Sequence, residues 1–154
     1  HLAIGHFPIH VPGLLQSPLY QEALGLYCGR RHPLYGSHAE GEELLEEVAA
    51  GRIVVRGYMQ QYDLEHLGVS KAAATVDNIE ATAILIISGA YLGFLPEHFA
   101  AQWVKSGEMH QLAPGSLRLR SPFDVITRRG VAPPPILQAF LEDLAASARK
   151  TGNP

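Results

Sequence analysis

The apolar positions between Asp77 and Pro96 follow two periods in succession, and the switch between them divides the segment into elements. Ile79, Ala83, Ile86 and Ile87 recur at the spacing of one helical face, whereas Tyr91 to Leu95 form an apolar run of strand length. Asp77 is placed to cap the helix by accepting the orphan N–H groups of its first turn, and Glu80, three residues on, completes a box-like arrangement. Gly89 tolerates the positive φ of a helix end, and Pro96 presets φ for the first turn of the next helix. The segment therefore predicts helix, glycine stop, buried strand and proline-started helix, which is half of an α/β layer.

The same periods extend the reading in both directions. Leu2 to Ile9 reads as a short strand, after which Pro8, Pro12, Gly13 and Pro18 enforce an extended or turning path. Tyr20 to Cys28 predicts a strand. From Ala39 to Ala50, Leu44, Leu45 and Val48 share a helical face while Glu40, Glu42, Glu43, Glu46 and Glu47 lie elsewhere, a solvated acidic surface. Gly51 stops that helix, and Ile53 to Val55 form a short buried strand. A polar connector from Gln60 to Lys71 leads to a strand over Ala72 to Val76. Beyond Pro96 come a helix from Glu97 to Lys105, strands over Met109 to Leu112 and Leu117 to Thr127, and a last helix from Pro134 to Arg149. This alternation predicts a mixed, mainly parallel sheet covered by helices.

Composition adds bounds rather than detail. The chain has 154 residues, 47% of them hydrophobic and 18% charged, enough for one domain or two small lobes with a buried core. Its net charge of -3 argues against a surface built to neutralise phosphates. A single cysteine, Cys28, excludes an intrachain disulfide and fits a reducing cytoplasm. The longest apolar run, Ala81 to Leu95, is broken by Ser88 and Gly89 and falls short of the roughly 20 residues that cross a bilayer, so no membrane span is expected.

Three markers, in order, carry a resemblance. Leu24 to Arg31 followed by His32-Pro33-Leu34 is the first; Ser88-Gly89-Ala90-Tyr91-Leu92-Gly93-Phe94-Leu95-Pro96, followed by Trp103 to Met109, is the second. The third is Phe123 to Arg129 with the tail Pro133 to Leu141. Together they make nearly the whole chain resemble the effector-binding domain of LysR-type transcriptional regulators. The resemblance implies an α/β fold of the periplasmic-binding-protein type 2 kind: a mixed sheet flanked by helices, with part of a second lobe. It implies a remnant of the first regulatory lobe and hinge over 1–21, a second lobe over 22–119, and a return strand and terminal helix of the first lobe over 120–154. It also implies a fragment, whose winged-helix DNA reader and most of whose first lobe lie upstream. On that expectation the apolar face Ile136, Leu137, Phe140, Leu141 and Leu144 is buried against another copy or repacks on the second lobe, because leaving it in water costs ~25 cal/mol per Å² of apolar area.

The resemblance also implies a function. A small metabolite, most naturally a carboxylate, would bind between lobes as a non-covalent effector, with no cofactor. It would shift the population of lobe arrangements and act through a homo-oligomer, a dimer or tetramer, on DNA bound by the separate reader. Carried over position by position, Arg56-Gly57-Tyr58-Met59 matches the second-lobe segment that faces the ligand. Arg56 would either pair with a carboxylate in a forked contact, with Tyr58 and Met59 as an apolar wall, or stand as an ordinary surface strand residue. Asn78 and Tyr91 are further effector-binding candidates that also have structural work to do.

Competing chemistry is thin. Leu67 to Ile79 imitates a helix-turn-helix, but between Gly57 and Val104 Asp63, Glu65, Asp77, Glu80 and Glu97 face only Lys71, so the cations that supply non-specific DNA affinity are missing. No Gly-x-Ser-x-Gly elbow, phosphate loop with its lysine or His-Glu-x-x-His pair is present, so no enzyme is expected and no catalytic residue is assigned. His6 and His10 have helical metal-ligand spacing, but the intervening Pro8 disfavours that geometry; no metal is expected. Cys28 with His32 suggests a nucleophile and base, yet an apolar strand cysteine is usually a small core residue. A periplasmic-type solute-binding protein or a small enzyme on the same fold are the alternatives.

Overall fold

The computed structural model describes residues 2–7 and 9–150. Its elements are β1 (Leu2–Gly5), β2 (Leu14–Gly29), α1 (Gly41–Ala50), β3 (Val54–Arg56), a 3-10 turn (Gly57–Met59), α2 (Gln60–Leu67), β4 (Ala74–Val76), α3 (Ile79–Ile87), β5 (Leu92–Pro96), α4 (Glu97–Ser106), β6 (Met109–Leu112), β7 (Arg118–Arg128) and α5 (Pro135–Lys150). They form two compact units, residues 1–22 with 120–154, and residues 23–119.

The larger unit is a three-layer sandwich, and period-2 alternation sorts its side chains between two cores. Leu24, Leu26 and Cys28 of β2, Ile53 and Val55 around β3, and Leu92 and Phe94 of β5 share one cluster with Leu44 and Val48 of α1 and Leu64 and Leu67 of α2. The intervening Tyr27, Val54 and Leu95 join Ala83 and Ile86 of α3, Ala100 of α4 and Met109 in the other. A one-residue slip in any strand would exchange these sets, so register is strongly specified. Gly29 lies so close to the Ile86 carbonyl that a Cβ there would collide with it, which explains glycine at the end of β2.

Sheet direction departs from the expectation of a mainly parallel sheet. β2 pairs antiparallel with β5 on one side and with β6 on the other, and β1 pairs antiparallel with β7. Among the described residues β3 pairs parallel with β4, and a parallel bridge joins Ile53 to Leu92. The alternation of strands and helices correctly reports crossover connections, but it cannot reveal that β2 inserts between β5 and β6.

Other differences are local. The cap of α3 is Asn78, whose Oδ1 accepts the Ala81 N–H at 2.8 Å; Asp77 stands one residue too early. Gly89 has φ +80 as expected, and Pro96 ends β5 and occupies the position before α4. The connector over Gln60–Lys71 contains α2, closed by Gly68 at φ 65. β2 runs straight through Pro18, since an extended strand accommodates proline's φ and loses only one donor. The helix-turn-helix imitation resolves into the end of α2, a loop, β4 and the start of α3.

In the smaller unit Tyr20 stacks on Phe123 with ring centroids 4.8 Å apart, and Gln16 Nε2 donates to the Asp124 carboxylate at 2.5 Å. The apolar stripe of α5 divides. Leu137 and Leu141 line a cavity of about 420 Å³ with Leu15 and residues 127–133, while Ile136 and Phe140 are exposed. No helix among the described residues is long and apolar enough to cross a membrane.

Candidate functional site

Parallel strands end together, and the loops leaving their carboxyl ends are where α/β sheets build ligand crevices. In the larger unit β3 and β4 are such a pair, with Arg56 opposite Val76 at their carboxyl ends. Arg56 leads into Gly57, Tyr58 and Met59, and Val76 leads into Asp77 and the Asn78 cap. Gly57 is tied to the second loop, because a Cβ there would sit 3.1 Å from the Asp77 carboxylate. The fold thus brings Arg56, Gly57, Tyr58 and Asn78 to one edge.

Arg56 is not a surface strand residue. It is only 3% exposed, its guanidinium carbon lies 5.5 Å from the centre of the Tyr58 ring, and its Nη2 is 4.0 Å from Asp63 Oδ1 on α2. That separation is an ion pair without a good hydrogen bond. Arg56 Nε and Nη2 and Asp63 Oδ1 are all buried and make no hydrogen bond among the described residues. Buried donors of this kind are costly to leave unmet, so a cluster of them marks a place where something else is accommodated. Burial pushes the Asp63 carboxyl up to about 6, and the Arg56 charge only partly opposes this. The arrangement can therefore present a positive, hydrogen-bond-hungry fork beneath a half-exposed aromatic ring.

The remaining candidates separate. Tyr58 is 52% exposed and free to face a ligand, but Met59 is 2% exposed and belongs to the core. Asn78 spends its Oδ1 on the helix cap and keeps its amide N–H groups exposed. Tyr91 stands apart from the others. It precedes β5 as Arg52 precedes β3, so it lies at the amino ends of these strands, about 13 Å along β3 from Arg56. There it accepts a hydrogen bond from Arg52 Nη2 at 2.5 Å under a guanidinium 4.4 Å from its ring.

Asp63 is the neighbour of Arg56 that sequence reasoning missed, and Asp77, expected as a helix cap, lies instead beside Gly57. The signal for Asp63 was present: Leu64 and Leu67 followed by Gly68 mark a helix end, which places Asp63 one turn from Met59 and within reach of β3. Elsewhere, burial raises the Cys28 thiol to about 12, so it stays protonated, and the His32 Nδ1 accepts the Leu34 N–H at 3.1 Å. His6 Nδ1 lies 3.1 Å from the Pro122 carbonyl oxygen, and the Pro8 invoked against a helical His6–His10 pair lies outside the described residues. No group of three or more potential metal ligands occurs among the described residues.

A family model described as LysR substrate binding domain matches residues 1–149. The HTH-type transcriptional activator BauR of Pseudomonas aeruginosa is 35% identical over 151 residues, covering 96% of this chain and 49% of that protein; the chain therefore spans about half the length of this relative. Among solved structures, the effector binding domain of QuiR in complex with shikimate aligns with a TM-score of 0.77 at 13% identity, over 97% of this chain and 72% of the other. The regulatory domain of Synechocystis PCC6803 CcmR in complex with 2-PG aligns with a TM-score of 0.76 at 19% identity, over 96% and 73%.

Proposed function

The chain belongs to the LysR substrate-binding domain family, and from that premise we propose that Arg56 is the charged anchor by which it senses a small carboxylate-bearing effector. The observation that carries this reading is the buried Arg56 fork, short of hydrogen bonds, at the carboxyl ends of β3 and β4. A carboxylate meets the fork with two parallel N–H···O bonds, the geometry that guanidinium groups provide best. Gly57 lets the loop pack closely against Asp77, the exposed face of Tyr58 supplies an apolar wall, and the free amide of Asn78 offers a second donor. Shikimate, bound by QuiR, is itself a carboxylate, which supports the class without fixing the molecule.

In the whole protein, the reading assigns residues 23–119 to the second regulatory lobe and the remainder to part of the first. The effector works as a non-covalent ligand in the cytoplasm, with no turnover. It binds one arrangement of the lobes more tightly than another, and a homo-oligomer passes that preference to a DNA-binding domain such as the HTH-type activator BauR carries. The test is a thermal-shift screen of the full-length regulator against aliphatic, aromatic and amino-acid carboxylates, repeated with Arg56→Gln. A carboxylate that stabilises the parent and not the variant supports the reading; equal stabilisation of both refutes it.

A further inference from the structure

Asp63 is the residue in this site for which effector binding alone gives no reason. It is 1% exposed on α2, and its Oδ1 has no hydrogen bond among the described residues although the guanidinium it faces also has unmet donors. An ion pair selected for stability would close from 4.0 Å to the bonded distance; this one holds its partner loosely.

Resting on the reading of Arg56 as the anion anchor, we propose that Asp63 is its positioning residue: it holds the guanidinium when no effector is bound and yields it to an incoming carboxylate by taking up a proton. Binding is then coupled to the uptake of one proton from solvent onto the Asp63 carboxyl. The charges balance, because the Arg56 cation exchanges one carboxylate partner for another and the displaced carboxylate becomes neutral. A second anion beside Arg56 both competes for its charge and repels the ionised Asp63, and each effect favours the protonated acid.

The surroundings leave the exchange to this pair. β3 contributes Arg56 and the 3-10 turn contributes Tyr58. α1 enters the shared core through Leu44 and Val48, while Glu42, Glu43, Glu46 and Glu47 are exposed. On α2, Glu65 is exposed and accepts a hydrogen bond from Gln61, and burial lowers the pKa of His66, which lies edge-on to Phe94. Asp77 lies beyond Gly57. Besides burial, Arg56 is the group that acts on the Asp63 carboxyl, which titrates near 6.

The sign follows. Anion binding raises the Asp63 pKa, so affinity increases as pH falls from the bound value towards about 6, by up to about tenfold per pH unit, and levels off below it. The experiment follows the Asp63 carboxyl by carbon NMR in the full chain, alone and with acetate or benzoate, in the parent and in Arg56→Gln. It adds acetate and benzoate affinities against pH for the parent, Asp63→Asn and Asp63→Glu. Expected are an upward displacement of the Asp63 midpoint by either anion, a flat affinity profile in Asp63→Asn, and a restored slope in Asp63→Glu. An anion that binds through Arg56 while the Asp63 midpoint stays put overturns the proton coupling and leaves the anchor standing. Acetate and benzoate effects that are unchanged in Arg56→Gln overturn both. The NMR titration of the parent decides the question even if a variant fails to fold.

Discussion

The two ends of β3 carry the same pair of residue types under opposite conditions. Arg52, before the strand, lies over Tyr91, and Arg56, at its end, lies over Tyr58. Arg52 is exposed and its Nη2 is satisfied by the Tyr91 hydroxyl. Arg56 is buried, and its Nε and Nη2 are unmet by any described residue. In the first pair water completes whatever the protein omits, so the contact is worth little and can do little. In the second the cost of each missing bond falls on the protein, and only a ligand or a tight counter-ion removes it. Burial and unmet bonding, not the presence of an arginine beside a tyrosine, separate the two ends of β3.

The largest expected effect lies at the buried end of β3. Arg56→Ala strips the buried Asp63 carboxyl of the cation that favours its charged form, and urea unfolding at neutral pH should show a loss of about 3–5 kcal/mol. Replacing both residues, Arg56→Met with Asp63→Leu, should restore most of that stability while abolishing carboxylate binding. The equivalent loss in the single and double variants would mean that packing, not charge, explains the cost.

A smaller effect isolates Asp63. Its folded-state carboxyl titrates near 6, above the ordinary value of 3.8, so the folded chain holds this proton more tightly than the unfolded chain does. Ionised Asp63 therefore costs stability above about pH 6, and the cost is relieved as pH falls towards 4. Measured against Asp63→Asn, in which the other carboxylates cancel, the parent should gain about 2–3 kcal/mol across that window. A difference that does not vary with pH would place Asp63 in an ordinary, solvated environment.

Much of the fold was legible because its elements carry strong local signals. β6 has the expected limits, β5 and α3 are displaced by a residue or two, and Gly89 and Gly51 end their helices where the pattern stops. What escaped depends on contacts distant in sequence. The direction of the sheet is set by β2 lying between β5 and β6. α2 escaped because only Leu64 and Leu67 mark its inner face among polar neighbours, and with it went Asp63. Arg56 was legible as a candidate, but its burial was not, because the sequence around it permits either a surface or an interior position. Met59 was misjudged for the same reason: its side chain turns into the core instead of forming a wall.

Two weaker perturbations sharpen the contrast further. Asn78→Ala removes the α3 cap and should cost about 1 kcal/mol in thermal or urea unfolding, whereas Asp77→Ala should cost less, since the cap bond belongs to Asn78. Arg52→Gln should change stability by no more than about 0.5 kcal/mol and leave the pH profile intact.

Calorimetric titration of the protein with the carboxylate found by screening, in the parent, Arg56→Gln and Arg52→Gln, is the direct test of the anchor. Loss of a charge-assisted fork is expected to weaken binding at least about tenfold in Arg56→Gln, with Arg52→Gln matching the parent. Equal affinity in all three proteins, or a loss confined to Arg52→Gln, would contradict the assignment of the buried arginine as the effector's counter-ion.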